Sequence, residues 1–128
     1  MTIAEVSKKL DLSIDTLRYY ERIGLIPKVP RNKSGIRNYG ETDLNWVKFI
    51  KCMRSAGIPV EALIEYVALF QQGDSTIEAR KQILMEQRDQ LLERMEEMQQ
   101  TLDRLNLKID RYERIILPVE KDLVQEGT

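Results

Sequence analysis

The chain has 128 residues, with 20 Lys+Arg, 21 Asp+Glu, no His and one Cys, and a formal net charge of −1. That length suits one domain plus an extension and leaves no room for a large catalytic core. A lone cysteine forbids an intramolecular disulfide and fits a reducing compartment. No stretch is long or apolar enough to span a membrane, and the start, MTIAEVSKK, lacks the apolar region of a signal peptide, so a cytoplasmic location is expected. The small net charge hides an asymmetry: residues 1–57 carry 11 Lys+Arg against 6 Asp+Glu, and residues 58–128 carry 9 against 15. Only the first half is expected to attract a polyanion.

Residues 3–26, IAEVSKKLDLSIDTLRYYERIGLI, predict two short helices joined by a tight turn. Thr2 caps the first, with Glu5 three residues on, and Ile3, Val6 and Leu10 form its inward stripe. Ser13 caps the second, on which Ile14, Leu17 and Tyr20 share one side and Asp15, Thr16, Arg18, Tyr19 and Arg22 turn to the other. Guanidinium forks, hydroxyls and an aromatic plane on one exposed helix face suit phosphates and base edges, which is the build of a DNA-reading helix-turn-helix.

After Gly24-Leu25-Ile26-Pro27, the stretch KVPRNKSGIRNY reads as a basic β-hairpin, a wing that turns at Gly35 and carries Arg31, Lys33, Arg37 and Tyr39. The run LRYYERIGLIP, followed by Arg31, Gly35, Arg37 and Tyr39 at the spacing R-x-x-x-G-x-R-x-Y, resembles the N-terminal domain of the MerR family of transcription regulators over residues 2 to about 72. The resemblance implies an all-α fold with a small β-hairpin wing: a winged helix-turn-helix, a second helix pair and a long antiparallel dimerising coiled-coil helix. It also implies a homodimer on promoter DNA that bends and untwists an overlong spacer for RNA polymerase. An effector-independent DNA-bending or accessory protein of the same winged fold stays open as the alternative. An enzyme does not, since with no His and no Gly-rich phosphate loop Cys52 has no base to activate it.

Thr42 is expected to cap a third helix in which Trp46, Phe49, Ile50 and Met53 recur at helical spacing, with Trp46 in the core and Gly57 at the end. Pro59 opens a fourth, with Val60, Leu63, Ile64, Val67 and Phe70 as its apolar face, stopping near Gly73. The Gly57-Ile58-Pro59 junction, with Lys51 and Arg54, is a candidate phosphate clamp. Two domains follow from this reading, residues 1–73 for DNA binding and residues 74–128 for dimerisation.

From Thr76 to Leu117 there is no Gly or Pro. Ile77, Leu84, Leu91, Met98, Leu105 and Tyr112 recur every seven residues, with Met95, Leu102, Ile109 and Ile116 as a companion seam whose first two positions hold Lys81 and Arg88. No other segment offers a helix of that length to cover the seam, so self-association is expected. A two-fold dimer of recognition helices requires an inverted repeat in the DNA.

One Cys and no His fall short of a closed protein metal site or an iron–sulfur cluster, so no metal or cofactor is expected. Only ten residues follow Pro118, too few for a large C-terminal ligand domain. That leaves Cys52, one helical turn after Lys48 and next to Lys51. The nearby ammonium groups favour a reactive thiolate, the carbonyl end of the helix opposes it, and an inert small hydrophobe is the plain alternative. The run WVKFIKCMRSAG with a short coiled-coil tail resembles the aldehyde-responsive AdhR/NmlR subgroup of the family, which implies that Cys52 is the sensor.

Overall fold

A computed structural model of the chain describes residues 1–116, for Ile115 and Ile116 the backbone only. The helices are α1 (Ile3–Leu10), α2 (Ile14–Arg22), α3 (Glu41–Ser55), α4 (Val60–Gln71) and α5 (Ile77–Arg111). A 3-10 turn, Asp74–Thr76, precedes α5, and a π-helical turn, Tyr112–Ile116, follows it. The contacts define two compact units, Met1–Arg88 and a second beginning at Asp89. The first unit therefore runs past residue 73, and within it Thr76 and Ile83 are buried. The Thr76 hydroxyl donates to the carbonyls of Leu69, at 2.6 Å, and Gly73, at 2.7 Å, closing the end of α4.

The helix starts follow local hydrogen-bond chemistry. The Thr2 hydroxyl accepts from the Glu5 amide while the Glu5 carboxylate accepts from the Thr2 amide, and the Ser13 hydroxyl accepts from the Thr16 amide. Between these two helices Asp11 adopts a left-handed conformation, φ 53°, and makes the turn without a glycine. The expected Thr42 cap is displaced: Gly40 is the N-cap of α3, and its amide donates to the Asp43 carboxylate at 2.8 Å, a charge-assisted bond that closes the first turn.

Val6, Leu17, Leu25, Tyr39, Val47 and Ile50 form the fully buried centre of the first unit, which draws on α1, α2, α3 and the segment between α2 and α3. Each such side chain contributes about 1.5–3 kcal/mol relative to exposure. Trp46, expected in the core, is half-buried and packs against its edge, with Phe70 edge-on at 4.9 Å and Tyr66 at 6.1 Å between ring centroids.

The wing differs from expectation. Among the described residues there is no strand; residues 28–39 form a loop with one isolated antiparallel bridge, Arg31 to Arg37. Two backbone bonds flank that bridge, from the Asn32 amide to the Ile36 carbonyl at 2.8 Å and from the Asn38 amide to the Pro30 carbonyl at 2.7 Å, and side chains take up groups a longer ladder would use. Asn32 Oδ1 accepts from the amides of Ser34 and Ile36, Arg31 Nη1 donates to the Gly35 carbonyl, and Pro30 has no amide to donate. Gly35, at φ 77°, occupies the turn where a Cβ would be strained.

The second unit contrasts with the first. From Asp89 to Arg114 none of the described side chains is buried, and Met95, Met98, Leu102, Leu105, Ile109 and Tyr112 are exposed. Ile77 and Leu84, on the first unit, are exposed too, and Leu91 is intermediate. Ile116, the last expected seam residue, lies outside the described side chains. Among the described residues no helix is long and apolar enough to cross a membrane.

Candidate nucleic-acid interface

Leu17 and Tyr20 bury the inner face of α2, which turns Arg18, Tyr19 and Arg22 outward on the expected side. Arg18 is exposed, with Asp15 a loose 3.9 Å away. Tyr19 is 40% exposed and its ring lies 5.6 Å from the Arg22 guanidinium, a cation–π contact that pre-sets both side chains. Thr16 is half-buried, and its hydroxyl shares a 2.7 Å hydrogen bond with Ser13, so capping uses part of its capacity.

The loop of residues 28–39 stands beside α2, and between them lies an open groove of about 640 Å³. Arg18, Arg22, Lys28, Arg31 and Arg37 line it, together with Glu21 and Val29. Five cations against one carboxylate make a site for a polyanion. Lys33 is exposed in the Asn32–Gly35 turn and does not line the groove.

Glu21 is the residue that the sequence reading missed. One carboxylate oxygen accepts from the Val29 amide at 2.7 Å and the other from Arg37 Nε at 2.5 Å, fastening both arms of the loop to α2. Burial alone would raise its pKa, but the hydrogen bonds from Arg37 and Val29 and the charges of Arg37 and Arg31 outweigh it and hold the carboxyl below its usual range. Its position between Tyr20 and Arg22 on an otherwise basic helix face was the available signal.

Tyr39 was expected on the nucleic-acid face and is instead in the core, 1% exposed, with its hydroxyl buried and without a hydrogen-bond partner among the described residues. The cause is the loop's return path, in which the Tyr39 amide donates to the Met1 carbonyl at 2.8 Å and draws the residue inward. Burial pushes the Tyr39 hydroxyl pKa upward, with Glu21 adding to the shift. Lys51 and Arg54 also have structural engagements. Lys51 Nζ donates to the Leu10 carbonyl at the end of α1, and Arg54 Nη1 donates to the Ile58 carbonyl at 2.6 Å. The first satisfies a carbonyl that the end of α1 leaves unpaired, and the second ties α3 to the junction that precedes α4.

Cys52 lies on the exposed side of α3, away from the buried stripe of Leu44, Val47 and Ile50. It lines a separate open cavity of about 500 Å³ with Lys9, Leu10, Asp11, Lys48, Lys51 and Ser55.

A capped helix pair with a basic helix face and a tethered basic loop defines a helix-turn-helix DNA-binding module. Comparison with known proteins identifies it further. Residues 1–69 match the MerR HTH family regulatory protein domain and residues 44–107 match the MerR DNA-binding region, so the chain belongs to the MerR family of DNA-binding transcription regulators. It is 59% identical over 93 residues to the HTH-type transcriptional regulator AdhR of Bacillus subtilis, a stretch covering 73% of this chain and 66% of that relative, just under two thirds of its length. A crystal structure of a MerR family chain from Listeria monocytogenes superposes with a TM-score of 0.91 at 48% identity, covering 99% of this chain and 96% of that one. HiNmlR, a MerR family regulator lacking the sensor domain and solved bound to promoter DNA, superposes with a TM-score of 0.80 at 29% identity, covering 88% and 90%. These relatives are transcription regulators, not enzymes.

Proposed function

We propose that the chain acts in the cytoplasm as a homodimer that binds an inverted repeat in promoter DNA, distorts it so that RNA polymerase engages the promoter, and responds to aldehydes or other electrophiles through Cys52. In each protomer α2 enters the major groove, where Arg18, Tyr19 and Arg22 meet base edges and nearby phosphates, while Arg31, Lys33 and Arg37 contact the backbone. The apolar seam of α5 pairs with that of a second copy running antiparallel, which sets the distance between the two recognition helices. Bending and untwisting the spacer, more than added contact, then carries the change in output.

The observation that carries this reading is that one compact unit holds both a five-cation groove and an exposed thiol in a lysine-rimmed cavity. The identity to AdhR and the fold shared with DNA-bound HiNmlR support it. With an aldehyde the chemistry is addition: Cys52 Sγ bonds to the carbonyl carbon and the thiol proton ends on the oxygen, giving a hemithioacetal. An adduct in that cavity shifts a two-state equilibrium by its differential fit, about 1–3 kcal/mol. Transcription from a cognate promoter with and without aldehyde tests the proposal. Wild type responds, and an unchanged response in Cys52→Ser shows that the thiol is structural.

A further inference from the structure

Among the described residues lining the basic groove, Glu21 is the single acid. A carboxylate facing a polyanion site opposes binding by simple charge, so its placement needs another reason. Its side chain is only 9% exposed, and its two oxygens hold the Val29 amide and Arg37 Nε. Arg37 keeps four more N–H donors on Nη1 and Nη2, and these have no protein partner among the described residues. The guanidinium is thus gripped at its inner edge and presents its outer fork to the groove, the geometry that suits a phosphate.

We infer that Glu21 is a positioning residue for DNA recognition: it aims the Arg37 fork at a backbone phosphate and locks the loop to α2, so that helix and loop meet the duplex in one register. The inference rests on Arg37 being a DNA contact. A glutamine at this position has one acceptor oxygen where the carboxylate has two, so it cannot serve the Val29 amide and Arg37 Nε together, although size and fold are kept. A lysine at position 37 keeps the charge but offers its three donors from one point, without the planar fork whose inner edge meets Glu21 while its outer edge is aimed at the phosphate.

The two explanations of Glu21 predict opposite signs. If it acts only by charge, Glu21→Gln tightens binding to every duplex. If it positions Arg37, Glu21→Gln weakens binding to the specific site and spares or tightens non-specific binding. The probes are an inverted-repeat duplex selected from a random library with the full chain and a shuffled duplex of the same composition, titrated at several salt concentrations by fluorescence anisotropy. Glu21→Gln and Arg37→Lys are each expected to weaken binding to the selected duplex about tenfold. Arg37→Ala should lower the salt slope by about one per protomer, and adding Glu21→Gln to it should cause little further loss.

Equal or tighter binding of Glu21→Gln to both duplexes overturns the inference. So does an undiminished effect of Glu21→Gln in the Arg37→Ala background, which would mean that it acts elsewhere. Should Glu21→Gln fail to fold by thermal melting, Arg37→Lys, which retains the carboxylate, decides the matter: wild-type affinity for the selected duplex refutes the positioning role. An Arg37→Ala variant with unchanged affinity and salt slope removes the DNA-contact assignment itself, and the inference with it.

Discussion

The unit Met1–Arg88 and the unit beginning at Asp89 carry comparable apolar periodicity, yet they meet it differently. In the first, Val6, Leu17, Val47 and Ile50 from three helices cover one another completely. In the second, the seam residues of α5 lie on one helix and, among the described residues of their own unit, nothing covers them; Met98 is 68% exposed. Leucines at heptad spacing make a surface for another helix, whereas leucines on several short capped helices make a core. The first unit therefore derives its stability from its own chain, and the seam requires a second surface, which the proposed dimer supplies.

The largest expected effect breaks that contrast at the seam. Leu91→Asp with Leu105→Asp places carboxylates where the dimer would bury them, at about 3 kcal/mol or more per site. Monomers that lose inverted-repeat binding while the first unit stays folded are expected, and sedimentation of the wild type as a stable monomer at micromolar concentration would refute the dimer. Next, Leu17→Ala should destabilise the first unit by about 2–5 kcal/mol regardless of protein concentration. Leu102→Ala should instead show a melting shift that depends on concentration, because only association buries that side chain. Melts across a hundredfold range of concentration separate the two.

A smaller effect concerns the exposed face of α2. Arg18→Ala or Tyr19→Ala should weaken cognate binding by about 1–3 kcal/mol, and Arg31→Ala should chiefly lower the salt slope on any duplex. Equal losses on cognate and random DNA would remove Tyr19 from the specific contacts. The smallest concerns pH. The Glu21 carboxyl is held below its usual range by Arg37 and Val29 against the opposing effect of burial. Its folded pKa is depressed, so its contribution to stability is complete above the unfolded value near 4.3 and is lost as pH falls through the lower folded value. The melting difference between wild type and Glu21→Gln should stay constant above about pH 5 and shrink progressively as pH falls below about 4. A difference undiminished at pH 3 would contradict this.

How much could be read from the chain alone varied with the range of the interactions involved. Caps and periodicity are local, and the Thr2–Glu5 box, the Ser13 cap and the buried faces of Leu17, Tyr20, Leu63 and Val67 all follow from neighbours within four residues. The LRYYERIGLIP run and the spacing of Arg31, Gly35, Arg37 and Tyr39 were distinctive enough to place the chain in its family. The tertiary structure alone decided what residues far apart do to one another. Tyr39 is drawn inward by a bond to Met1, 38 positions away, Lys51 is committed to the end of α1, and the wing is held by a single bridge reinforced by side chains in place of paired strands. Glu21 becomes a clamp only when the loop returns to place Val29 and Arg37 against its two oxygens. Helical phase follows from the residues that share a turn, but a carboxylate's partners are chosen by how the chain folds back, and no local spacing encodes that distance.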